Sequence, residues 1–224
     1  MSQITNALFT QKTNLRKVMK QVLKLITDEN KRRQSEQVVN YLLNTHLKFN
    51  SAQHIAVYLA MKHEEIDTNL LIEHLLKDET NKENRKHIYV PHFELSSKSD
   101  EMRFFEIKDL NQYWNEMNAD NKFGIRQFNN VANMSEANIN KFDLVIVPGL
   151  AFDYSDSTRT KIARLGRGKG YYDSFLSKIP QCYTLGVGFN EQFLSFNENI
   201  NLTLPVIQSK DYLLDEFLCE KMIN

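Results

Sequence analysis

Two cysteines, four prolines, seven glycines and one tryptophan in 224 residues are few enough to exclude several classes of protein. Cys182 and Cys219 cannot build the disulfide framework of a small secreted domain, and are expected as two free thiols in a reducing compartment. No apolar run approaches the length of a membrane span. The first twenty residues are polar and lysine-containing, without an apolar h-region or a small-residue cleavage site, so no signal peptide is read and a soluble cytoplasmic protein is expected. An excess of charge is missing as well, since 28 Lys and Arg balance 28 Asp and Glu. General attraction to nucleic acid or to an anionic membrane is therefore not expected, and any anion site must be local. There is no internal repeat and no low-complexity tract. The length allows one substantial domain or two small ones, and one domain over 1–224 is expected.

What is present is an alternation of helical and strand-like segments. Leu15, Val18, Met19, Val22 and Ile26 recur at helical spacing, with Thr13 as a plausible N-cap. A second helix is predicted after Asp28, carrying Val38, Val39, Leu42, Leu43 and Leu47, and a third from Asp67 or Thr68 through Leu76. HIAVYLAM (54–61), HIYVP (87–91, ended by its proline), DLVIVPG (143–149) and CYTLGVGF (182–189) read as buried strands. EMRFFEI (101–107) reads as an edge strand, and a further strand is possible from Asp211 onwards. Between Lys108 and Asn140, loops and a short helix are expected, anchored by Tyr113, Trp114, Phe123, Ile125 and Phe128. Such alternation predicts an α/β layered fold with a mainly parallel sheet, whose ligands gather at the carboxyl ends of the strands.

One stretch at such an end stands out. RLGRGKGYYD (164–173) holds three of the seven glycines, and from Arg159 to Lys169 there are five cations and no acid. Alternating glycines let backbone N–H groups approach an anion, and a helix starting near Tyr171 (read to Lys178) adds further donors and a positive dipole end. Three known phosphate-loop spellings fail. Gly170 follows Lys169 where a Walker A loop needs Ser or Thr, the G-x-G-x-G spacing is not that of a dinucleotide fingerprint or a kinase loop, and a loop, LAFDYSDSTRTKIA, separates it from the preceding strand. The alternative is a solvated basic loop with turn glycines. Asp173, just past the cations, is placed to share Mg²⁺ with a bound nucleotide. The six histidines form no H-E-x-x-H and no Cys/His cluster, and Cys182 reads as core filler. Glu64 and Glu65, after the first strand, are either a solvated pair or a ligand pair.

These residues resemble the 5-formyltetrahydrofolate cyclo-ligase (5,10-methenyltetrahydrofolate synthetase) family. The resemblance rests on K-T-N-L-R at 12–16, Y-L-A-M with E-I-D-T across 58–68, V-P-G-L-A-F-D at 147–153 and R-L-G-R-G-K-G-Y-Y-D at 164–173, with Pro205, Asp211 and Asp215 resembling the family's closing pattern. It implies a three-layer α/β/α domain with a mainly parallel central sheet, of the NagB/RpiA/CoA-transferase-like type. It also implies an enzyme that uses ATP and Mg²⁺ to close 5-formyltetrahydrofolate to 5,10-methenyltetrahydrofolate, releasing ADP and phosphate. Carried over, ATP would be bound by Lys12, Thr13, Asn14, Leu15 and Arg16 and by Arg164, Leu165, Gly166, Arg167, Gly168, Lys169, Gly170, Tyr171 and Tyr172. The folate would meet Leu59, Glu65, Arg167, Gly168, Lys169, Gly170 and Tyr171. Arg167 and Lys169 would be catalytic, neutralising charge during phosphoryl transfer, and Asp173 and Asp211 would ligate Mg²⁺. The implied partners are these small molecules, with no nucleic acid and no membrane, and the chain is expected as a monomer or homodimer. Three departures are visible. The segment between Asp153 and Arg164 is longer than is usual in the family, M-K-H-E-E-I-D-T carries an extra residue that leaves Glu64 and Glu65 both open, and Phe128 replaces a proline. A non-catalytic folate- or nucleotide-binding domain of the same fold is the alternative.

Overall fold

The computed structural model describes residues 3–77, 85–93, 102–119, 121, 124–196 and 203–223. Its centre is a six-stranded sheet built from β1 (His54–Val57), β2 (His87–His92), β3 (Arg103–Ile107), β6 (Leu144–Val147), β9 (Tyr183–Val187) and β10 (Glu216–Leu218), in the order β10-β9-β6-β1-β2-β3. Every neighbouring pair is parallel except β2 and β3, whose antiparallel pairing runs from Ile88 opposite Ile107 to His92 opposite Arg103. The edge strand is thus confirmed over 103–107, while Glu101 lies outside the described residues. Strand order reverses between β1 and β6, which opens a crevice at their carboxyl ends, the usual ligand position in such sheets.

Strand periodicity divides the core in two. Ile55, Val57, Ile88, Val90, Leu144, Ile146, Leu185 and Val187 project to one face, where they meet the apolar stripes of α1 (Gln3–Leu25), α2 (Asp28–Asn44) and α4 (Asn69–Lys77). Ala56, Tyr89, Val145 and Val147 project to the other, against Phe175 and Leu176 of α6 (Tyr171–Leu176) and the aromatic group Phe152, Phe193 and Phe217. Helix, sheet and helix make three layers, as expected. All four residues of β6 are buried, as a strand covered on both faces requires.

Several boundaries differ from the sequence reading. Thr13 does not cap α1, which begins ten residues earlier; its hydroxyl instead donates to the Phe9 carbonyl at 2.9 Å inside the helix. Val18, read as part of the apolar stripe, faces solvent, and Leu23 occupies the core instead. Thr27 caps α2, and Leu47 lies beyond that helix, at the exposed start of α3 (Leu47–Ser51). Pro91 does not end β2, because it pairs with Phe104 of the edge strand, where a missing N–H is tolerated. β1 stops at Val57, and the strand expected from Asp211 is β10, starting at Glu216.

The region from 108 to 140 holds α5 (Leu110–Asn115) and a small hairpin of β4 (Met117–Asn118) and β5 (Gln127–Phe128). Tyr113 and Phe128 anchor it in the core as expected, Trp114 is half exposed, and Phe123 lies outside the described residues. The stretch read as a long loop before the glycine motif is a hairpin. β7 (Ala151–Tyr154) pairs antiparallel with β8 (Ile162–Leu165), so Arg164 and Leu165 are strand residues and only 166–170 form the loop.

Candidate functional site

The crevice at the ends of β1 and β6 collects the charged residues singled out above. From α1, the buried Lys12 ammonium pairs with Asp211, and Arg16 Nε donates to the Gly166 carbonyl at 2.8 Å, tying the glycine loop to the first helix. Lys12 and Arg16 share a helix face because they are four residues apart. Gly168 adopts φ +106° beside the Arg16 guanidinium, so a side chain there would be strained by the backbone, although a Cβ would meet that guanidinium only at ordinary contact distance. Gly170, at φ +75°, turns the chain into α6.

Arg164 is held on three sides. Nη2 meets Asp173 at 3.0 Å, Nη1 donates to the Pro148 carbonyl at 3.3 Å, and its guanidinium lies 5.6 Å from the centre of the Tyr172 ring. Its Nε is buried without a partner. Burial pushes Tyr172 well above an ordinary phenol, with the Glu65 charge adding to the shift and Arg164 opposing it. The Arg16 guanidinium is shifted down, first by burial and then by Arg164, against the attraction of Asp211 and Asp173.

Arg167 reaches across to the turn after β1. Its Nη1 lies 2.6 Å from Glu64 and its Nη2 3.2 Å from Glu65. The two acids differ in setting, since the Glu64 side chain is 45% exposed and that of Glu65 only 8%. Burial raises the Glu65 pKa, against the opposing effects of Arg167 and of the Met61 N–H, which donates to its Oε2 at 2.9 Å. The turn itself is tied back to β1, because Tyr58 Oη donates to the Ile66 carbonyl at 2.9 Å and Thr68 Oγ1 to the Tyr58 carbonyl at 2.7 Å. Tyr171 packs against Phe93 with ring centres 5.1 Å apart. Phe93 was not singled out in the sequence; its only signal was its place directly after a strand that ends at the crevice.

Not every expected residue contributes a side chain. Leu15, Leu59 and Leu165 are buried in the core, so only their backbones can face a ligand. Thr13 and Asn14 lie on the exposed side of α1. Arg159 and Lys161, part of the cation run, belong elsewhere: Arg159 stacks 5.0 Å over Tyr154, and Lys161 pairs with Asp215 at 2.5 Å. Lys169 is exposed on the loop and makes no ion pair among the described residues.

Asp173 and Asp211 are each partly committed. Tyr212 N donates to Asp173 Oδ1 at 3.2 Å and Ile207 N to Asp211 Oδ2 at 2.6 Å, and each carboxylate also faces a cation. Among the described residues no three acidic, His or Cys side chains gather as a metal cage. Two carboxylates that both act on Arg16 fit Mg²⁺ in its usual mode, in which one or two carboxylates share the ion with substrate phosphates and water.

Fold and site together define an α/β protein with a cation-rich crevice at its strand switch point, flanked by a buried carboxylate. A model of the 5-formyltetrahydrofolate cyclo-ligase family matches residues 9–220, and the chain belongs to that family. It is 27% identical to the 5-formyltetrahydrofolate cyclo-ligase of Mus musculus over 219 residues, 93% of each chain. It is 30% identical to "5-formyltetrahydrofolate cyclo-ligase, mitochondrial" of Arabidopsis thaliana over 176 residues, 77% of this chain and 60% of that one. Among solved structures, the 5,10-methenyltetrahydrofolate synthetase of Aquifex aeolicus matches with a TM-score of 0.61 at 26% identity, over 81% of this chain and 79% of the other. The Mycoplasma pneumoniae synthetase shares the fold with a TM-score of 0.63 at 18% identity, over 93% and 98% of the two chains.

Proposed function

We propose that this protein uses ATP to close 5-formyltetrahydrofolate to 5,10-methenyltetrahydrofolate, releasing ADP and phosphate. The observation that carries the reading is one glycine loop touching two chemically different walls. Arg16 holds it on the side of Lys12, Asp173 and Asp211, and Arg167 holds it on the side of Glu64 and Glu65. The first wall suits triphosphate oxygens, and the second suits a ring edge rich in N–H donors, where a buried carboxylate accepts two parallel bonds.

The chemistry needs positioning and charge compensation more than a protein nucleophile. The formyl oxygen attacks the γ-phosphorus, the bond to ADP breaks, and the formyl carbon becomes bonded to a phosphate ester oxygen. N10 then attacks that carbon, the carbon–oxygen bond to phosphate breaks, and N10 gives its proton to the departing phosphate. Lys12 and Arg16 hold the phosphates from α1. Arg167 and Lys169 offset charge spreading over the transferred group, and Lys169, exposed on the loop, approaches without breaking an existing pair. Glu65, rather than the more exposed Glu64, takes the pterin edge in this reading. Mg²⁺ held by Asp173 and Asp211 supplies further neutralisation at the phosphates.

Arg167 cannot serve the phosphates and both glutamates fully at once. Its turn toward phosphate leaves the buried Glu65 carboxylate short of a cation, and the pterin N–H donors replace it. ATP and folate therefore assist one another's binding. The reading takes 1–224 as one domain, supported by the single large sheet and by the family match over 9–220. It puts the protein in the cytoplasm, as a monomer or homodimer, with two buried thiols consistent with a reducing compartment. No helix among the described residues is long and apolar enough to cross a membrane. The binding-domain alternative is not favoured, because every charged residue the chemistry uses is present. The test is absorbance of the methenyl product from 5-formyltetrahydrofolate with and without Mg-ATP. Product is expected only with ATP; folate binding without product would return the protein to the binding-domain reading.

A further inference from the structure

The V-P-G-L-A-F-D stretch at 147–153 has no part in the chemistry described so far. The ladder between β6 and β9 runs to Val147 opposite Gly186, and beyond it Gln192 joins the two chain segments. This side chain is 1% exposed; its Nε2 donates to the Gly149 carbonyl at 2.6 Å and its Oε1 accepts the Phe189 N–H at 2.8 Å. The second bond caps the 3₁₀ turn at Asn190–Gln192 and needs only an oxygen. The first reaches across to the end of β6 and needs a donor as well; an uncharged amide offers both. A Cβ on Gly188 would lie 2.9 Å from Gln192 Oε1, so bare backbone leaves the space the amide fills. The turn is braced from behind. Asn190 N donates to Gln34 Oε1 at 2.8 Å, Asn190 Nδ2 to Glu220 at 3.0 Å, and Lys221 N to Asn190 Oδ1 at 2.8 Å.

What Gln192 holds is a single peptide just past β6. The Gly149–Leu150 peptide has its carbonyl on Gln192 and its N–H on the Leu165 carbonyl, the latter at 2.7 Å, so it is fixed at both ends. The peptide before it therefore keeps its direction, and its oxygen, that of Pro148, accepts from Arg164 Nη1 at 3.3 Å. Arg164 Nη2 in turn meets Asp173 at 3.0 Å. Arg164 needs such bracing, because this pose leaves its Nε–H buried without an acceptor among the described residues, an arrangement that opposes itself. A Cβ on Gly149 would lie 3.1 Å from Arg164 Cγ, so the arginine stem also passes over bare backbone. Contacts thus run unbroken from α2 through 190–192, Gly149 and Pro148 to Arg164 and Asp173.

We propose that Gln192 is a positioning residue for the nucleotide half of the site: by pinning the Gly149–Leu150 peptide it aims the Pro148 carbonyl at Arg164, and Arg164 sets the direction of Asp173. The inference rests on the cyclo-ligase reading, which puts the phosphates and Mg²⁺ on the side of Asp173. The other wall is held by different contacts, since Glu64 and Glu65 are fixed by Arg167 and by the Met61 N–H. Loss of the Gln192 donor therefore weakens nucleotide binding and spares folate.

The test measures binding of Mg-ATP and of 5-formyltetrahydrofolate separately by calorimetry. Gln192→Glu keeps the acceptor for Phe189 but, once ionised, offers the Gly149 carbonyl no donor. It should bind Mg-ATP about fivefold more weakly at neutral pH, with folate binding within about twofold of the unaltered protein. As pH falls the introduced carboxyl regains a proton, and the donor with it, so the deficit relative to the unaltered protein should shrink. In an Arg164→Lys background, which already lacks the fork between Pro148 and Asp173, Gln192→Glu should add less than about twofold. Equal losses on both ligands would make Gln192 a cap of its own turn and overturn the proposal. So would a loss that neither pH nor the Arg164→Lys background alters. If thermal unfolding shows Gln192→Glu to be unstable, Gln192→Met decides: it is uncharged and of similar length, and should show the same selective loss at every pH. Selective loss with no methenyl product from the unaltered protein would remove the cyclo-ligase reading alone. Product with Mg-ATP binding intact in both variants would remove this inference alone.

Discussion

The two ends of the parallel strands treat charge in opposite ways. At the amino ends, polar groups are spent on holding the fold. Asp143 accepts the Gln53 and His54 N–H groups, each at 2.8 Å, and the Lys86 ammonium donates to the carbonyls of Phe49, Asn50 and Ala52 at 3.0, 2.8 and 2.6 Å. Asp215 is taken by Thr184 and Lys161, and Glu216 by His46 and Tyr183. At the carboxyl ends, Lys169 makes no ion pair among the described residues, Arg164 has a buried N–H without a partner, and Arg167 sits between two acids that compete for it. A cavity of about 540 Å³, lined by Lys48, Asp143, Tyr183 and Asp215 among others, opens at the amino ends. There is space for a ligand there, but its aspartates are already committed, and Lys48 stacks over Tyr183 at 5.5 Å. Uncommitted charge, not space, separates a reactive end from a structural one.

The largest expected break of this comparison is in turnover. Lys169→Ala should lower kcat about 10²-fold by removing compensation of transition-state charge, whereas Lys48→Ala at the other cavity should leave it within about twofold. Equal effects from the two would erase the distinction between the ends, and unchanged kinetics in Lys169→Ala would make that lysine a surface charge.

A smaller effect is expected for the acids beneath Arg167. Glu65→Gln should raise the folate KM about tenfold, with kcat little changed, because a buried charge-assisted pair is lost. Glu64→Gln should do less, since that side chain is largely solvated. Steady-state kinetics that reverse this order would assign the pterin to Glu64.

The smallest effect is in stability against pH, and its sign differs between the ends. Burial raises the folded pKa of Glu65, so the folded state holds that proton more tightly than the unfolded state. Its contribution is most favourable below the unfolded value and is lost as pH rises through the folded one. Glu216 is lowered by its bond to His46, against burial and with help from Tyr183. Asp215 is pushed up by burial, but Lys161 and Thr184 together outweigh that and lower it. Both stabilise above their unfolded values, and that stabilisation is lost as pH falls through the folded ones. Denaturant melts across mildly acidic pH should therefore show Glu65→Gln flattening a decline toward neutrality, and Glu216→Gln flattening a decline toward acid. The same sign for both variants would contradict the assigned settings.

Much of this was legible from local pattern. The apolar runs of β6 and β9, the stripe of α2 and the glycines at 168 and 170 each carry their meaning within a few residues, because strand burial, helix periodicity and positive φ are local properties. What misled was equally local. Thr13 looked like a cap, although helix propensity and packing carry α1 ten residues further back, and 150–163 looked like a loop, because cross-strand pairing is invisible until the partner strand is placed. The cation run 159–169 read as one cluster, yet strand alternation in β8 and the hairpin turn send Arg159 and Lys161 away from Arg164.

The sequence by itself determined the elements, the alternation that makes a parallel sheet, and the residue types able to hold phosphate, since these depend on neighbours in the chain. Only the tertiary structure decided which charges meet. Arg167 and Glu65 are 102 residues apart, and Lys12 and Asp211 are 199 apart. No periodicity connects such pairs; the crossing of the chain at the β1/β6 switch point does, and burial there decides which carboxylate is enclosed and which is left to water.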